Sequence, residues 1–184
     1  MRSYEMESTR REALGRALRI VCRQRGLFFL VARDFRLAAR TGADGLHLPE
    51  GLARHGILSP TRLWLRWSGR LLTVAAHSPG AIRRARTLGA TAVLLSPVFP
   101  TTSHPGARTI GVTRFAAWHR QAGMPVYALG GMNARSARRL GHHRIAGISL
   151  RGYGEAMPPP CPHRGRINPT PRHPNVVQAC GGRP

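Results

Sequence analysis

The feature that most constrains the fold is a regular alternation between short apolar runs and segments with helical periodicity. The apolar runs are four to six residues long and occupy 27–32, 45–48, 71–76, 92–96, 126–130 and 145–150. Helices are expected at 9–24, 34–41, 79–88, 111–122 and 133–140, with an irregular segment at 59–70. Strands separated by single helices form right-handed crossovers and a parallel sheet. The pattern therefore predicts an α/β fold, with a doubly wound sheet and a (β/α)8 barrel as the two alternatives.

The character of the chain changes after Tyr153. Residues 155–184 carry a proline every few positions and show no sustained helical or strand period. Such a segment cannot bury enough apolar surface to offset the entropy lost on ordering. We therefore expect a folded domain over 1–154 and a disordered tail over 155–184.

The cellular compartment is indicated by apolar runs and by cysteines. No run approaches the roughly 18 to 20 apolar residues that a membrane-spanning helix needs, and residues 1–12 lack the apolar stretch of a signal peptide. Cys22, Cys161 and Cys180 are odd in number and widely spaced, which favours reduced thiols over a disulfide framework. We expect a cytoplasmic protein with no membrane partner.

The tail also holds a weak metal-binding candidate. Cys161, His163 and His173 could supply three ligands to a metal ion. Isolated Cys and His residues are ordinary in proline-rich tails, so the interpretation that these three bind no metal is favoured.

The formal charge of +22 raises the question of nucleic acid, because dense positive charge binds phosphate backbones. All 29 basic residues are arginine, however, and they are scattered along the chain. An arginine-only composition, together with many Ala, Gly and Pro residues, is typical of a GC-rich genome. We expect only non-specific adhesion to nucleic acid. The oligomeric state stays open, with a homo-oligomer as one alternative.

Residues that could bind an anion or take part in catalysis follow two of the predicted strands. The segment SPVFPTTSHPGA at 96–107 places Thr101, Ser103 and His104 among rigid prolines, where their polar groups could donate to an anion. The segment GGMN at 130–133 combines two glycines with a residue suited to cap a helix, so exposed N–H groups there could hold a phosphate. In parallel α/β folds functional residues lie at this carboxyl edge of the sheet. An ordinary polar turn is the alternative for each segment.

A resemblance joins these segments. GADGLHLPE at 42–50, the stretch 74–107 and PVYALGGMNARSARRL at 125–140 resemble thiamine phosphate synthase and the related TenI-type thiazole tautomerases, in order and over about 14–153. The resemblance implies a TIM (β/α)8 barrel, here lacking its first two strands and its last helix. It also implies the joining of a phosphorylated pyrimidine to a thiazole phosphate, with release of pyrophosphate and with Mg²⁺ as cofactor.

The resemblance assigns roles to individual residues. Thr101 and Ser103 correspond to hydroxyls that contact the pyrophosphate, and His104 stands where the family has a lysine. Gly130 and Gly131 correspond to the turn around the thiazole phosphate. Gly152 is assigned to substrate binding as well.

The expected magnesium ligands are altered. The family reads Asn-Asp-Arg at a strand end, and its Asp binds the metal; this chain has Ala32, Arg33 and Asp34. Either Asp34 serves after a slip of one residue, or the ligand is lost. The second carboxylate position aligns with Leu52, although Glu50 lies close. These changes predict impaired synthase activity.

Two alternatives follow from the departures. A tautomerase needs only proton transfer on a thiazole phosphate, but Pro97 occupies the position of its catalytic histidine, so His47, His77 or His104 would have to be the base. The other alternative is a non-catalytic protein that retains phosphometabolite binding. In that case the histidines have only structural roles.

Overall fold

The computed structural model describes residues 1–2, 6–101, 106–140 and the strand at 147–149. The strands are β1 (Leu30–Ala32), β2 (Gly45–Leu48), β3 (Leu71–Ala76), β4 (Ala92–Leu95), β5 (Val126–Leu129) and β6 (Gly147–Ser149). The helices of these residues are α1 (Ser8–Gln24), α2 (Phe35–Arg40), α3 (Glu50–Ala53), α4 (Ser59–Trp67), α5 (Pro79–Thr87), α6 (Gly111–Ala122) and α7 (Ala134–Arg139). The tail expected at 155–184 and its metal-binding candidate lie outside the described residues.

The strands of the sheet follow one another in the order found in the wall of a (β/α)8 barrel. All pairings are parallel, and the six strands follow one another as β1-β2-β3-β4-β5-β6. A doubly wound sheet would reverse its strand order at a switch point, and no reversal occurs among these six strands. The predicted TIM-barrel-like α/β fold is confirmed, and the doubly wound alternative is wrong.

The two faces of the sheet are buried to different extents. Val31, Leu46, Val74, Val93 and Ala128 on the helix-covered face are at most 1% exposed. The neighbouring residues of the other face, which include His47, Thr73, Ala75, Leu94 and Tyr127, are partly exposed. Apolar residues from α2, α5 and α6 complete the core on the covered face. The half-open face is the inner wall of the barrel.

The segment expected to be irregular is a helix instead. Residues Ser59–Trp67 form α4, with Pro60 in its first turn. A proline there costs no hydrogen bond, since the first N–H groups of a helix have no intrahelical acceptor. Leu65 is buried against the core, which provides the packing energy that holds the helix in place.

The first strand begins later than its apolar run. Leu27 and Phe28 are 56% and 55% exposed, and β1 starts at Leu30. The Asp44 carboxylate accepts a hydrogen bond from the Phe29 N–H at 2.7 Å and so replaces a strand partner there. Apolar character alone therefore overestimated the length of this strand.

The outer edge of β1 is partly paired. The Met1 amino group donates to the Leu30 carbonyl at 2.5 Å, and the Ala32 N–H donates to the Met1 carbonyl at 3.0 Å. Met1 thus occupies the position of a further strand and directs Arg2 towards the carboxyl edge of the sheet. No helix in the described parts of the chain is long and apolar enough to cross a bilayer.

Candidate functional site

The loop that follows β4 is fixed by hydrogen bonds to the strand beside it. The N–H of Val98 donates to the Leu129 carbonyl at 2.9 Å, and the N–H of Phe99 donates to the Gly130 carbonyl at 3.1 Å. Val98 is fully buried and Phe99 is 7% exposed, so apolar side chains anchor the loop from below. The guanidinium of Arg139 on α7 lies 5.1 Å from the centre of the Phe99 ring. These contacts hold Thr101 at the carboxyl edge of the barrel.

The glycine turn after β5 packs directly against this loop. Gly130 and Gly131 have φ of +85° and +64°, which favours residues without a side chain. A Cβ on Gly130 would lie 2.8 Å from the Cα of Pro97, and one on Gly131 would lie 2.7 Å from the Cβ of Phe99. Only glycines allow the two backbones to approach this closely. The described part of the loop, up to Thr101, and the glycine turn therefore pack directly against each other.

Asn133 has a structural role. Its side chain accepts from the Ser136 N–H at 2.8 Å, and the Ser136 hydroxyl accepts from the Asn133 N–H at 2.7 Å, which completes a capping box. The hydroxyl of Ser136 also donates to the Gly131 carbonyl at 3.0 Å. The cap thus fixes the glycine turn rather than presenting a polar group to a ligand.

Of the four remaining predicted site residues, the structure describes only Thr101. Thr101 is partly buried at the end of the described loop. Ser103, His104 and Gly152 lie outside the described residues, and their assigned roles stay predictions.

His77 joins the ends of two strands. Its Nδ1–H donates to the Ser96 carbonyl at 2.6 Å, at the start of the loop after β4. Its backbone N–H donates to Glu50 Oε2 at 3.0 Å. Because Nδ1 carries the proton, Nε2 is the acceptor nitrogen of the neutral ring. His77 is therefore the histidine candidate that is oriented by the site loop.

His47 lies on the inner wall and is a weak base. Its Nδ1 is 3.0 Å from the Thr73 hydroxyl. Burial lowers the pKa of His47 from its ordinary 6.5 to about 4, and the positive charges of Arg2 and of the amino terminus add to this shift. The ring is therefore neutral at pH 7 and holds a proton poorly.

The pKa of His47 predicts how stability changes with pH. Because the folded pKa lies below the unfolded one, the unfolded chain binds the proton that the folded chain excludes, and stability present above pH 6.5 is lost as the pH falls towards 4. The loss should approach about 2 to 3 kcal/mol. Thermal unfolding of His47→Gln should show a flatter pH dependence than wild type, while His55→Gln, an exposed control, should keep it. An unchanged slope in His47→Gln would contradict this assignment.

Asp34 has two partners within the fold. One carboxylate oxygen caps α2 by accepting from the Leu37 N–H at 2.9 Å, and the other pairs with Arg11 at 3.2 Å. Both oxygens of Asp34 thus contribute to the packing of α1 and α2, and its role as a metal ligand stays a prediction.

Glu50 also has partners within the fold. Its Oε1 lies 3.1 Å from Arg54 and 3.7 Å from Arg84, and its Oε2 accepts from His77. Within the described residues no three His, Cys, Asp or Glu side chains are grouped to hold a metal ion. Mg²⁺ is usually held by one or two carboxylates together with water and substrate phosphates. Its binding here stays a prediction from the resemblance.

An open pocket lies where the magnesium ligands were expected. Its volume is about 420 Å³, and its walls are formed by Arg2, Arg33, Pro49, Gly51, Leu52 and His55. The sequence analysis did not single out Arg2, because a segment of two residues shows no periodicity. Its place just before helix α1, which leads into β1, is the one signal that could have placed it at the carboxyl edge of the sheet.

Comparisons with known proteins agree with this geometry. A family model described as thiamine monophosphate synthase matches residues 1–152. Thiamine-phosphate synthase from Bacillus velezensis is 33% identical over 132 residues, which is 71% of this chain and 57% of that protein. Thiamine-phosphate synthase from Geobacillus thermodenitrificans is 28% identical over 160 residues, with coverages of 86% and 70%. The chain thus spans 57% to 70% of the length of these two relatives.

A solved structure extends the likeness to the fold. Thiamine phosphate pyrophosphorylase from Pyrococcus furiosus superimposes with a TM-score of 0.66 at 24% identity, over 82% of this chain and 70% of that one. The family match includes the loop after β4, the glycine turn and the arginine-lined pocket. The resemblance inferred from the motifs is thereby confirmed, and the chain belongs to the thiamine monophosphate synthase family.

Proposed function

We propose that the protein acts in thiamine biosynthesis as a transferase of the thiamine phosphate synthase type. The observation that carries the proposal is the direct packing of the loop after β4 on the Gly130–Gly131 turn. This packing supports a preformed site for the phosphate ends of two substrates, since glycine turns let an anion approach backbone N–H groups. The substrates would be a pyrimidine pyrophosphate and a thiazole phosphate.

In the proposed reaction the bond between the pyrimidine methylene carbon and the pyrophosphate oxygen breaks, and its electron pair leaves on the pyrophosphate. The thiazole nitrogen then donates its lone pair to the methylene carbon, which gives thiamine phosphate. The hydroxyl of Thr101 would donate to a pyrophosphate oxygen as charge develops on it. The glycine turn would hold the thiazole phosphate and so orient the ring nitrogen.

Thr101→Val tests this role. The variant removes one hydroxyl donor to a charged group, which is typically worth about 1.5 to 3 kcal/mol. We expect the turnover number for thiamine phosphate formation to fall roughly ten- to a hundredfold. Thr87→Val is the matched control, because Thr87 lies on the exposed side of α5 and its hydroxyl donates to the Arg83 carbonyl. Absence of thiamine phosphate from the wild-type reaction, or equal turnover in the two variants, would contradict the proposal.

A thiazole tautomerase is the second candidate, and the orientation of His77 favours it. The contact of Nδ1 with the Ser96 carbonyl leaves Nε2 able to accept a proton near the loop. Supplying only the thiazole phosphate separates the candidates. Isomerisation of the thiazole without the pyrimidine substrate would support the tautomerase, whereas a product that needs both substrates would exclude it as the main activity.

A further inference from the structure

Helix α4 presents an unusual mixture of side chains to solvent. Leu58, its N-cap residue, is 80% exposed, and Leu63 and Trp67 are 55% and 82% exposed. Arg62 and Arg66 are exposed as well. Residues four apart lie on the same side of a helix, so Leu63 and Trp67 form one stripe. Arg62 and Arg66 form a second stripe beside it, and we call these five residues the α4 face.

The opposite side of the helix fixes the orientation of the α4 face. Thr61 and Leu65 are only 8% exposed there. The Trp64 ring lies against Phe35, with 5.6 Å between the ring centres, and the Arg70 guanidinium lies 4.6 Å from the centre of the Trp64 ring. Because these contacts prevent rotation of the helix, the apolar side chains of the α4 face cannot turn inward. Exposed apolar clusters of this kind mark contacts with a protein or a membrane.

The α4 face is positively charged. The ion pairs of the described residues include neither Arg62 nor Arg66. The sequence contains no Asp or Glu between Glu50 and Glu155, so the chain around α4 supplies no carboxylate. A partner that complements this face therefore combines negative charge with an apolar layer.

An anionic lipid surface has this combination. Its phosphates lie directly above a hydrocarbon layer, so arginines at the headgroup level and apolar side chains below them both find partners. Tryptophan is enriched at this boundary because its ring is apolar and its indole N–H is polar. A nucleic acid would stack on Trp67 but would offer no apolar layer to Leu58 and Leu63. These side chains project from a helix surface, whereas the anchors of protein interfaces fill pockets.

We propose that the α4 face adsorbs to anionic lipid bilayers, with Leu58, Leu63 and Trp67 inserted at the headgroup boundary. Arg62 and Arg66 then donate hydrogen bonds to lipid phosphates. The adsorption is peripheral and involves no spanning segment. It revises the expectation, drawn from the sequence, that the protein has no membrane partner. The proposal is independent of the transferase activity proposed above.

The test is co-sedimentation of the full 184-residue chain with vesicles of phosphatidylglycerol and phosphatidylcholine, and with vesicles of phosphatidylcholine alone, at physiological ionic strength. The wild-type chain should partition into the anionic vesicles at least about tenfold more strongly. Leu63→Ser/Trp67→Ser should lower this partition coefficient by about tenfold or more, because two apolar side chains no longer insert. Both positions are exposed, so the melting temperature should stay near the wild-type value. Leu27→Ser/Phe28→Ser, a pair 56% and 55% exposed outside α4, is the matched control and should change the coefficient by less than about threefold.

The overall charge of +22 requires a second comparison, since any strongly cationic chain adheres to anionic vesicles. Arg62→Gln/Arg66→Gln and Arg83→Gln/Arg86→Gln remove the same charge, but the second pair lies on α5. The α4 variant should lose about tenfold in partition coefficient, and the α5 variant less than about threefold. Fluorescence is an independent readout of insertion. Wild-type emission should move to shorter wavelength on binding, and Trp67→Phe should still bind but lose most of this shift.

Three results would overturn the proposal. Equal losses in the α4 variants and their controls would mean that adsorption comes from overall charge alone. Equal partition into neutral and anionic vesicles, or partition into neither, would remove the role of lipid charge or of the membrane itself. Binding of single-stranded RNA that needs Trp67, without vesicle binding, would assign the α4 face to nucleic acid instead.

Discussion

Gly131→Val is expected to lower the free energy of unfolding by about 3 kcal/mol or more. The positive φ of +64° costs a valine about 1 to 2 kcal/mol. Its Cβ would also collide with the Pro100 carbonyl oxygen and lie 2.7 Å from the Phe99 Cβ, which adds an overpacking cost of about 1 to 3 kcal/mol. Thermal unfolding should show a melting temperature lower by roughly 6 to 12 °C.

Gly89→Val separates these two contributions. Gly89 has φ of +76°, but a Cβ there would meet no atom within 4 Å. This control should therefore lose only the conformational contribution of about 1 to 2 kcal/mol. Equal destabilisation in the two variants would mean that the glycine turn does not pack on the loop after β4 as described.

Gly45→Ala is expected to be destabilising by about 3 kcal/mol, near the upper end of the usual overpacking cost. Gly45 pairs with Leu71 in the register of β2 and β3. An added Cβ would collide with the Leu71 carbonyl oxygen and lie 2.8 Å from the Leu71 carbonyl carbon. These are backbone atoms, so the clash cannot be relieved by a side-chain rotation and the strands must separate.

Gly51→Ala is the control for Gly45→Ala. A Cβ at Gly51 would meet nothing within 4 Å, and the residue lies in helix α3. Alanine has the higher helix propensity, so the stability should stay equal or rise by up to about 1 kcal/mol. Chemical denaturation compares the two variants, and a Gly45→Ala protein as stable as wild type would contradict the strand register.

The fold was predictable because its main signal is local. Buried parallel strands are short apolar runs, and each one could be found without knowledge of its neighbours. Helix α4 was missed because it spans only nine residues and carries Pro60 in its first turn, a residue that is usually taken to interrupt a helix. The start of β1 was placed too early because Asp44, a distant residue, terminates the pairing.

The candidate site was predictable only where sequence neighbours form it. The loop after β4 and the glycine turn are continuous segments, and their motifs identified them. Asp34 pairs with Arg11, and Glu50 pairs with Arg54 and Arg84. Helix packing sets the positions of these arginines relative to the carboxylates. A sequence pattern therefore shows which carboxylates are near a site but not which partners they have.

A preformed phosphate site between the loop and the glycine turn is tested most directly by thermal unfolding of the full chain with thiazole phosphate at high salt. A ligand present at 100 times its dissociation constant stabilises the folded state by about 2.7 kcal/mol, so we expect a saturable rise in melting temperature of roughly 5 to 11 °C. Sulfate at equal ionic strength should not reproduce this rise. A cooperative transition with no shift, or an equal shift with sulfate, would show that the site is not preformed.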